Sequence, residues 1–270
     1  MKKINVIYAS LWLTAAVFLA GCNPDDPAEV AVGNGNGEDT AVVKLASRID
    51  VGYHDSEVYA AAVGGHEFEY DSLRRVVKWR ITYVQYDSPF VLTLTYPTSG
   101  TVEINGSGNG ATVRFIYKLD GDGNVVSMNN TGYYHWTYGD GYLVKYEYAE
   151  GVQLSDTDYT WENGNLTAIK RTYYDGGSHS EGQQTAALEY GAMLNKPCGV
   201  DLLWLIVGAN DPIEGWFGKS SKNLPEKIIV EDAVNPIVYR YETDGDGYVE
   251  KVYVKGIVEE EVLRYVISYK

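Results

Sequence analysis

The sequence predicts an all-β protein: an antiparallel meander of repeated hairpins forming a curled sheet or open barrel, with one short helix near residues 200–208. Three observations carry this. Apolar and polar residues alternate with a period of two in many short segments. Asp-Gly and Asn-Gly pairs separate those segments at short intervals, as tight hairpin turns require. Strand-formers dominate the composition, with 24 Tyr among 270 residues.

The first 21 residues stand apart from the β pattern. Lys2 and Lys3 precede an almost wholly apolar run from Ile4 to Leu19, long enough for the h-region of a signal peptide and short for a stable membrane span. The run ends in Leu19-Ala20-Gly21-Cys22, which resembles the lipobox of bacterial lipoproteins. The resemblance implies cleavage after Gly21, lipidation of Cys22, and no transmembrane span in the mature chain. Several acyl chains on one residue give stable anchoring. Asn23, where an inner-membrane protein would carry Asp, implies the outer membrane. Asp25 and Asp26 resemble an acidic tag that sends lipoproteins to the cell surface. Residues 22–42 then form a tether, in which two prolines and Gly33-Asn34-Gly35-Asn36-Gly37 offer nothing to bury. Asp39-Thr40-Ala41 resembles a short O-glycosylation acceptor. Residues 43–270 are expected to form one β domain with a sizeable core.

Within that domain Val77, Trp79, Ile81 and Tyr83 alternate with Lys78, Arg80 and Thr82. Ile237, Tyr239 and Tyr241 alternate with Arg240 and Glu242. Leu263, Tyr265, Ile267 and Tyr269 alternate with Arg264 and Ser268. One buried and one wet face suit antiparallel sheets. The turns repeat as well. Tyr117-Lys-Leu-Asp-Gly-Asp-Gly123-Asn-Val125 matches Tyr241-Glu-Thr-Asp-Gly-Asp-Gly247-Tyr-Val249. Tyr138-Gly-Asp-Gly141-Tyr-Leu143 matches Trp161-Glu-Asn-Gly164-Asn-Leu166, and Phe68 to Val76 is a looser copy. Each places an aromatic, an acidic or amide stretch, a Gly, and an apolar residue that opens the next strand.

These repeats resemble the tyrosine-aspartate (YD/RHS-type) repeats of large bacterial wrapping proteins. Together with the lipobox and Gly215-Trp-Phe-Gly218-Lys-Ser-Ser-Lys-Asn-Leu-Pro225-Glu-Lys-Ile228, they make the chain similar to a family of outer-membrane lipoproteins of gut-type Gram-negative anaerobes, a domain of unknown function with a porin-like β fold. The resemblance implies a curled antiparallel sheet or barrel and no known activity. A lipid-facing barrel needs an outer face free of charge. Lys78, Arg80, Arg114, Lys118, Lys145, Glu147, Lys170, Glu250 and Lys255 interrupt both alternating sets, so a barrel would sit in water on its tether. The run Val200 to Val207, bounded by Gly199 and Gly208, breaks the β pattern. Leu202, Leu203, Leu205 and Ile206 share a helical face, which predicts a short helix plugging one end of the sheet with Trp204 inward.

The formal charge is −15, and removal of Lys2 and Lys3 makes it two units more negative. Such a surface repels phosphate backbones and argues against nucleic-acid partners. With Cys22 acylated, Cys198 is left alone, and no His is near it in sequence, so a small buried residue is expected there rather than a nucleophile. Asp120-Gly-Asp122-Gly-Asn124 and Asp244-Gly-Asp246 resemble the start of a calcium loop. They lack its Gly and closing acid, and they sit where the repeat demands a turn. His54, His66, His135 and His179 share no ligand spacing. No metal or cofactor is expected, and no catalytic motif is present.

The most suggestive cluster is Tyr133-Tyr134-His135-Trp136-Thr137-Tyr138, with Trp161 and Tyr173-Tyr174 in neighbouring hairpins. Alternation puts Tyr134, Trp136 and Tyr138 on one face and Tyr133, His135 and Thr137 on the other. The rings either build the pleated core or stack on sugar rings. Tyr134, Trp136, Tyr138, Trp161 and Tyr174 are therefore the candidate ligand residues, in a non-enzymatic module that binds a glycan or a protein partner. The alternatives are a polysaccharide hydrolase using two carboxylates and a structural envelope protein.

Overall fold

The computed structural model describes residues 43–52, 63–84, 86–129, 131–150, 153–175, 180–208, 211–256 and 260–270. The leader, Cys22, the tether, His54 and His179 lie outside them. The strands are β1 (Ala46–Val51), β2 (Val63–Tyr70), β3 (Val76–Tyr83), β4 (Phe90–Thr98), β5 (Thr101–Gly108), β6 (Ala111–Leu119), β7 (Val125–Met128) and β8 (Tyr134–Gly139). They continue as β9 (Tyr142–Glu150), β10 (Gln153–Glu162), β11 (Asn165–Asp175), β12 (Ser180–Leu194), β13 (Asn223–Val230), β14 (Ile237–Thr243), β15 (Val249–Lys255) and β16 (Val262–Tyr269). Helix α1 (Leu202–Val207) lies between β12 and β13. Every strand pairs antiparallel with its sequence neighbours, and β1 pairs with β16, Ile49 opposite Ile267. The meander is the predicted one, and it closes into a complete barrel, which leaves no sheet edge unpaired.

The barrel is largely apolar inside and carries its charges outside, Arg171 on β11 excepted. Ile49, Phe68, Trp79, Leu94, Val102, Leu143, Leu166 and Val252 are among the buried inner residues. Outside run ion-pair chains across strands: Arg48 with Glu67, Arg80 with Glu69, Lys145 with Glu147 and Asp156, and Arg240 with Glu242 and Glu261. The charges thus do not interrupt both alternating sets as expected. Bulges shift the pairing between Glu69 and Tyr70 and between Thr137 and Tyr138, so a change of face in sequence keeps these outer charges on one face in space. The same device displaces Val77, where Val76 is buried in its place, and Leu263. Leu263 pairs with Tyr253 beyond a bulge and is exposed, not inward with Tyr265. A membrane-spanning barrel has the opposite polarity, with an apolar outer band and a polar lumen. Among the described residues no helix is long and apolar enough to cross a membrane.

A barrel of this strand number is too wide for its own inward side chains to fill. Residues 195–208 and 211–222 fill it. The segment leaves at the end of β12, enters one mouth, and returns to β13, with Asn195 N–H donating to the Lys222 carbonyl at 3.0 Å. Asp201 caps α1 by accepting from Leu203 N–H, and Gly208 ends it in the left-handed conformation. Leu202, Leu203, Trp204, Leu205, Trp216 and Phe217 are buried, each contributing roughly 1.5–3 kcal/mol of apolar burial. The returning arm is the Gly-Trp-Phe-Gly…Ser-Lys-Asn-Leu-Pro segment, and it is stitched to the hairpin turns. Lys219 N–H donates to the Gly141 carbonyl at 2.7 Å, and Lys222 N–H to that of Gly164 at 2.9 Å. Ser220 Oγ donates to Asp201 at 2.8 Å, and Ser221 Oγ accepts from Leu166 N–H at 3.0 Å.

Around the plugged mouth runs a repeated clip. Tyr70, Tyr96, Tyr138, Tyr190, Tyr241 and Tyr269, each late in an even-numbered strand, donate their hydroxyls to the carbonyls of Ala46, Val76, Val125, Leu166, Pro225 and Val249 in the preceding strand. Trp161 does the same to Leu143 with its indole N–H. The turns repeat with equal regularity. Asp71, Asp120 and Asp244 each accept two backbone N–H groups of their own turn with one carboxylate oxygen.

Candidate functional site

Both described chain ends, Val43 and Lys270, lie at the plugged mouth, where Leu45 and Lys270 exchange backbone hydrogen bonds. At the opposite mouth the inner face is not uniform. It is mostly apolar on the other strands and polar-aromatic on β8 to β12. The pairing aligns Trp136, Tyr146, Thr157, Arg171 and Gln184 in one row across these strands. One step nearer the mouth it aligns Tyr134, Tyr148, Ser155, Tyr173 and Gly182. Thr157 and Ser155 are buried at 6% and 4% exposure, which fixes both rows as inward. Tyr134, Tyr146, Tyr148, Arg171, Tyr173 and Gln184 point inward yet remain half-buried, so solvent reaches this wall.

The wall is donor-rich. Trp136 Nε1, Ser155 Oγ and Arg171 Nε are buried polar atoms without a hydrogen-bond partner. Buried polar groups are normally paired, so three in two adjacent rows mark the place. Arg171 lies over the Tyr173 ring, with Cζ 4.6 Å from the centroid, and Tyr173 Oη donates to Gln184 Oε1 at 3.1 Å. Trp136 stacks on Tyr146 at 5.3 Å and meets Tyr117 edge-on at 6.2 Å. Beneath, the plug supplies Asp211, which accepts from Tyr117 Oη at 2.7 Å. Burial pushes the Asp211 carboxyl up, opposed by the Tyr117 hydrogen bond. Burial, and then Tyr134, raises the Tyr146 hydroxyl, while Arg171 pulls it back.

The five candidate ligand residues divide. Tyr134 and Trp136 belong to this wall. Tyr138 and Trp161 face inward at the plugged mouth, with their polar atoms committed to the carbonyls of Val125 and Leu143. Tyr174 pairs with Leu154, and its side chain is outside the described residues. Sequence reasoning missed Tyr146, Ser155, Thr157, Arg171 and Gln184, and of the pair Tyr173-Tyr174 it chose Tyr174. A signal existed: in Ser155-Asp-Thr-Asp-Tyr159 neither alternating set is apolar until Tyr159, so one polar set had to face inward.

The remaining chemistry-bearing groups are structural. Cys198 is buried, and burial pushes its thiol up to about 12. Glu214 accepts from Gly199 N–H at 2.6 Å. The Asp120 and Asp244 carboxylates are occupied by their own turns, and among the described residues no cluster suits a metal ion. His66 is buried, and His135 is exposed on β8.

No protein-family model matches the chain, and no curated protein matches it. Solved structures do resemble it. A porin-like protein from Bacteroides uniformis superposes with a TM-score of 0.57 at 14% identity, covering 83% of this chain and 98% of that one. A porin-like protein from Bacteroides vulgatus gives 0.60 at 10% identity, covering 84% and 99%. The fold is shared. At these identities the likeness concerns the fold alone.

Proposed function

We propose that the chain is a lipoprotein of the outer membrane, anchored through Cys22 and facing the medium, that binds a glycan without transforming it. The observation that carries this reading is the opposite character of the two mouths. The tether enters at Val43, beside the plug, so a lipid anchor holds the plugged mouth toward the membrane. The polar-aromatic wall of β8 to β12 then points away from it. Half-buried tyrosines beside Ser, Thr, Gln and Arg supply both the flat rings and the hydrogen bonds that sugars require.

Binding is favoured over hydrolysis because the buried carboxylates have structural duties. Asp201 caps α1, Glu214 holds Gly199, and among the described carboxylates Asp211 alone faces the wall. A retaining or inverting glycosidase needs two. The test has two arms. Protease shaving of intact cells should digest the wild type, spare the Asp25→Ala/Asp26→Ala variant, and find Cys22→Ala released from the membrane fraction. A glycan array should give hits that Tyr146→Ala abolishes. Wild-type protein that stays membrane-bound and protected, or an array empty with folded protein, would sink the reading.

A further inference from the structure

We propose that the glycan carries an acidic group, a carboxylate or sulfate on a sugar ring, and that Arg171 receives it. This rests on the reading that the far mouth binds a glycan. Arg171 is set apart from the other arginines of the barrel wall. Arg48, Arg80, Arg114 and Arg240 lie on the outside and pair with carboxylates, and Arg264 on β16 donates to the Gly52 carbonyl. Arg171 lies on the inside, forms no ion pair among the described residues, and holds Nε buried without a partner. A half-buried cation without counter-charge is costly, and a ligand oxyanion removes that cost.

The surroundings fit an oxyanion. Tyr173 lies against the guanidinium plane, so the planar fork is held in one orientation for bidentate contact. The Tyr173 hydroxyl occupies Gln184 Oε1, leaving the amide nitrogen of Gln184 as a donor beside Arg171. Ser155 Oγ and Trp136 Nε1 add two further unpartnered groups in the same two rows. On the inner faces of β8 to β12 no carboxylate stands among the described side chains, although the chain as a whole carries 37 Asp and Glu. Asp211 faces the wall from the plug, where a carboxylate accepts from sugar hydroxyls. An acidic sugar meets both sides, its acid on the wall and its hydroxyls on the plug.

The test is calorimetry on the full chain in detergent with matched neutral, uronic-acid and sulfated oligosaccharides. An acidic ligand should bind about tenfold more tightly than the neutral one, and whichever acid wins identifies its source. Arg171→Gln should bring the acidic ligand down to the neutral level. Gln184→Glu, which sets a carboxylate directly across the strand pair from Arg171, should do the same and serves if Arg171→Gln fails to fold. Equal binding of neutral and acidic ligands overturns the acid assignment and leaves glycan binding standing. So does a preference that survives in a folded variant. Binding of none overturns both.

Discussion

Trp79 donates its indole N–H to Nδ1 of His66 at 3.0 Å, between two buried rings on β2 and β3. The imidazole must therefore stay neutral, and burial lowers its pKa from 6.5 to about 4. The unfolded chain takes up the proton first, so His66 contributes stability that is fully present above pH 6.5 and is lost as pH falls toward 4. The loss is about 1.4 kcal/mol per pH unit. Asp201 works in the opposite direction, because burial raises its carboxyl from 3.8 to about 6. The folded state takes that proton first and gains stability as pH falls from about 6. Urea melts from pH 7 to 4 should therefore show a shallow loss for the wild type, and for His66→Gln a rise in stability over the same range. Parallel curves for the two proteins would refute the assignment.

The clips make a separate prediction. Tyr190 Oη donates to the Leu166 carbonyl at 2.7 Å, and Ser221 Oγ lies 3.3 Å from the same hydroxyl. Tyr190→Phe leaves a buried carbonyl short of its donor and should cost about 1–3 kcal/mol. Burial pushes this hydroxyl from 10 up to about 12. A folded pKa above the unfolded one gives stability that is complete below pH 10 and is lost as pH rises toward 12. Denaturant melts at pH 8 and pH 11 should find the wild type weakened at pH 11 and Tyr190→Phe weakened less.

Arg74 holds a left-handed backbone, φ 65°, at the position where the sister turns have Gly123 and Gly247. Its side chain is exposed, with one long 3.3 Å hydrogen bond to the Val43 carbonyl. Arg74→Gly should stabilise the protein by about 1 kcal/mol by removing the left-handed penalty. Gly123→Arg should destabilise by a similar amount. Thermal melts of the two variants check the sign.

Trp204 is the largest fully buried side chain, meeting Tyr159 edge-on at 5.5 Å from inside the plug. Trp204→Ala should cost about 3–5 kcal/mol. Because the barrel is too wide to be filled without the plug, limited proteolysis should cut Trp204→Ala first within 195–222. A cleavage pattern like that of the wild type would mean that the barrel stands without its filling.

The sequence by itself determined the strands, the antiparallel meander, the turns and the short helix. Period-two alternation and Asp-Gly pairs are local signals, and their physics acts within a few residues. Even the looser turn copy at Asp71 was legible, because its carboxylate serves the same two amides as those of Asp120 and Asp244. Tertiary structure alone decided what the tyrosines are for. Tyr138 and Trp161 read as candidate sugar platforms, and closure of the barrel sets them against carbonyls in the preceding strand, Tyr138 13 and Trp161 18 residues back. It also decided the polarity of the walls, since each bulge inverts the face that alternation predicts downstream, as at Leu263. The wall at Arg171 arises in the same way. Trp136, Tyr146, Thr157, Arg171 and Gln184 lie on five strands, and only the register of four ladders brings them into one row.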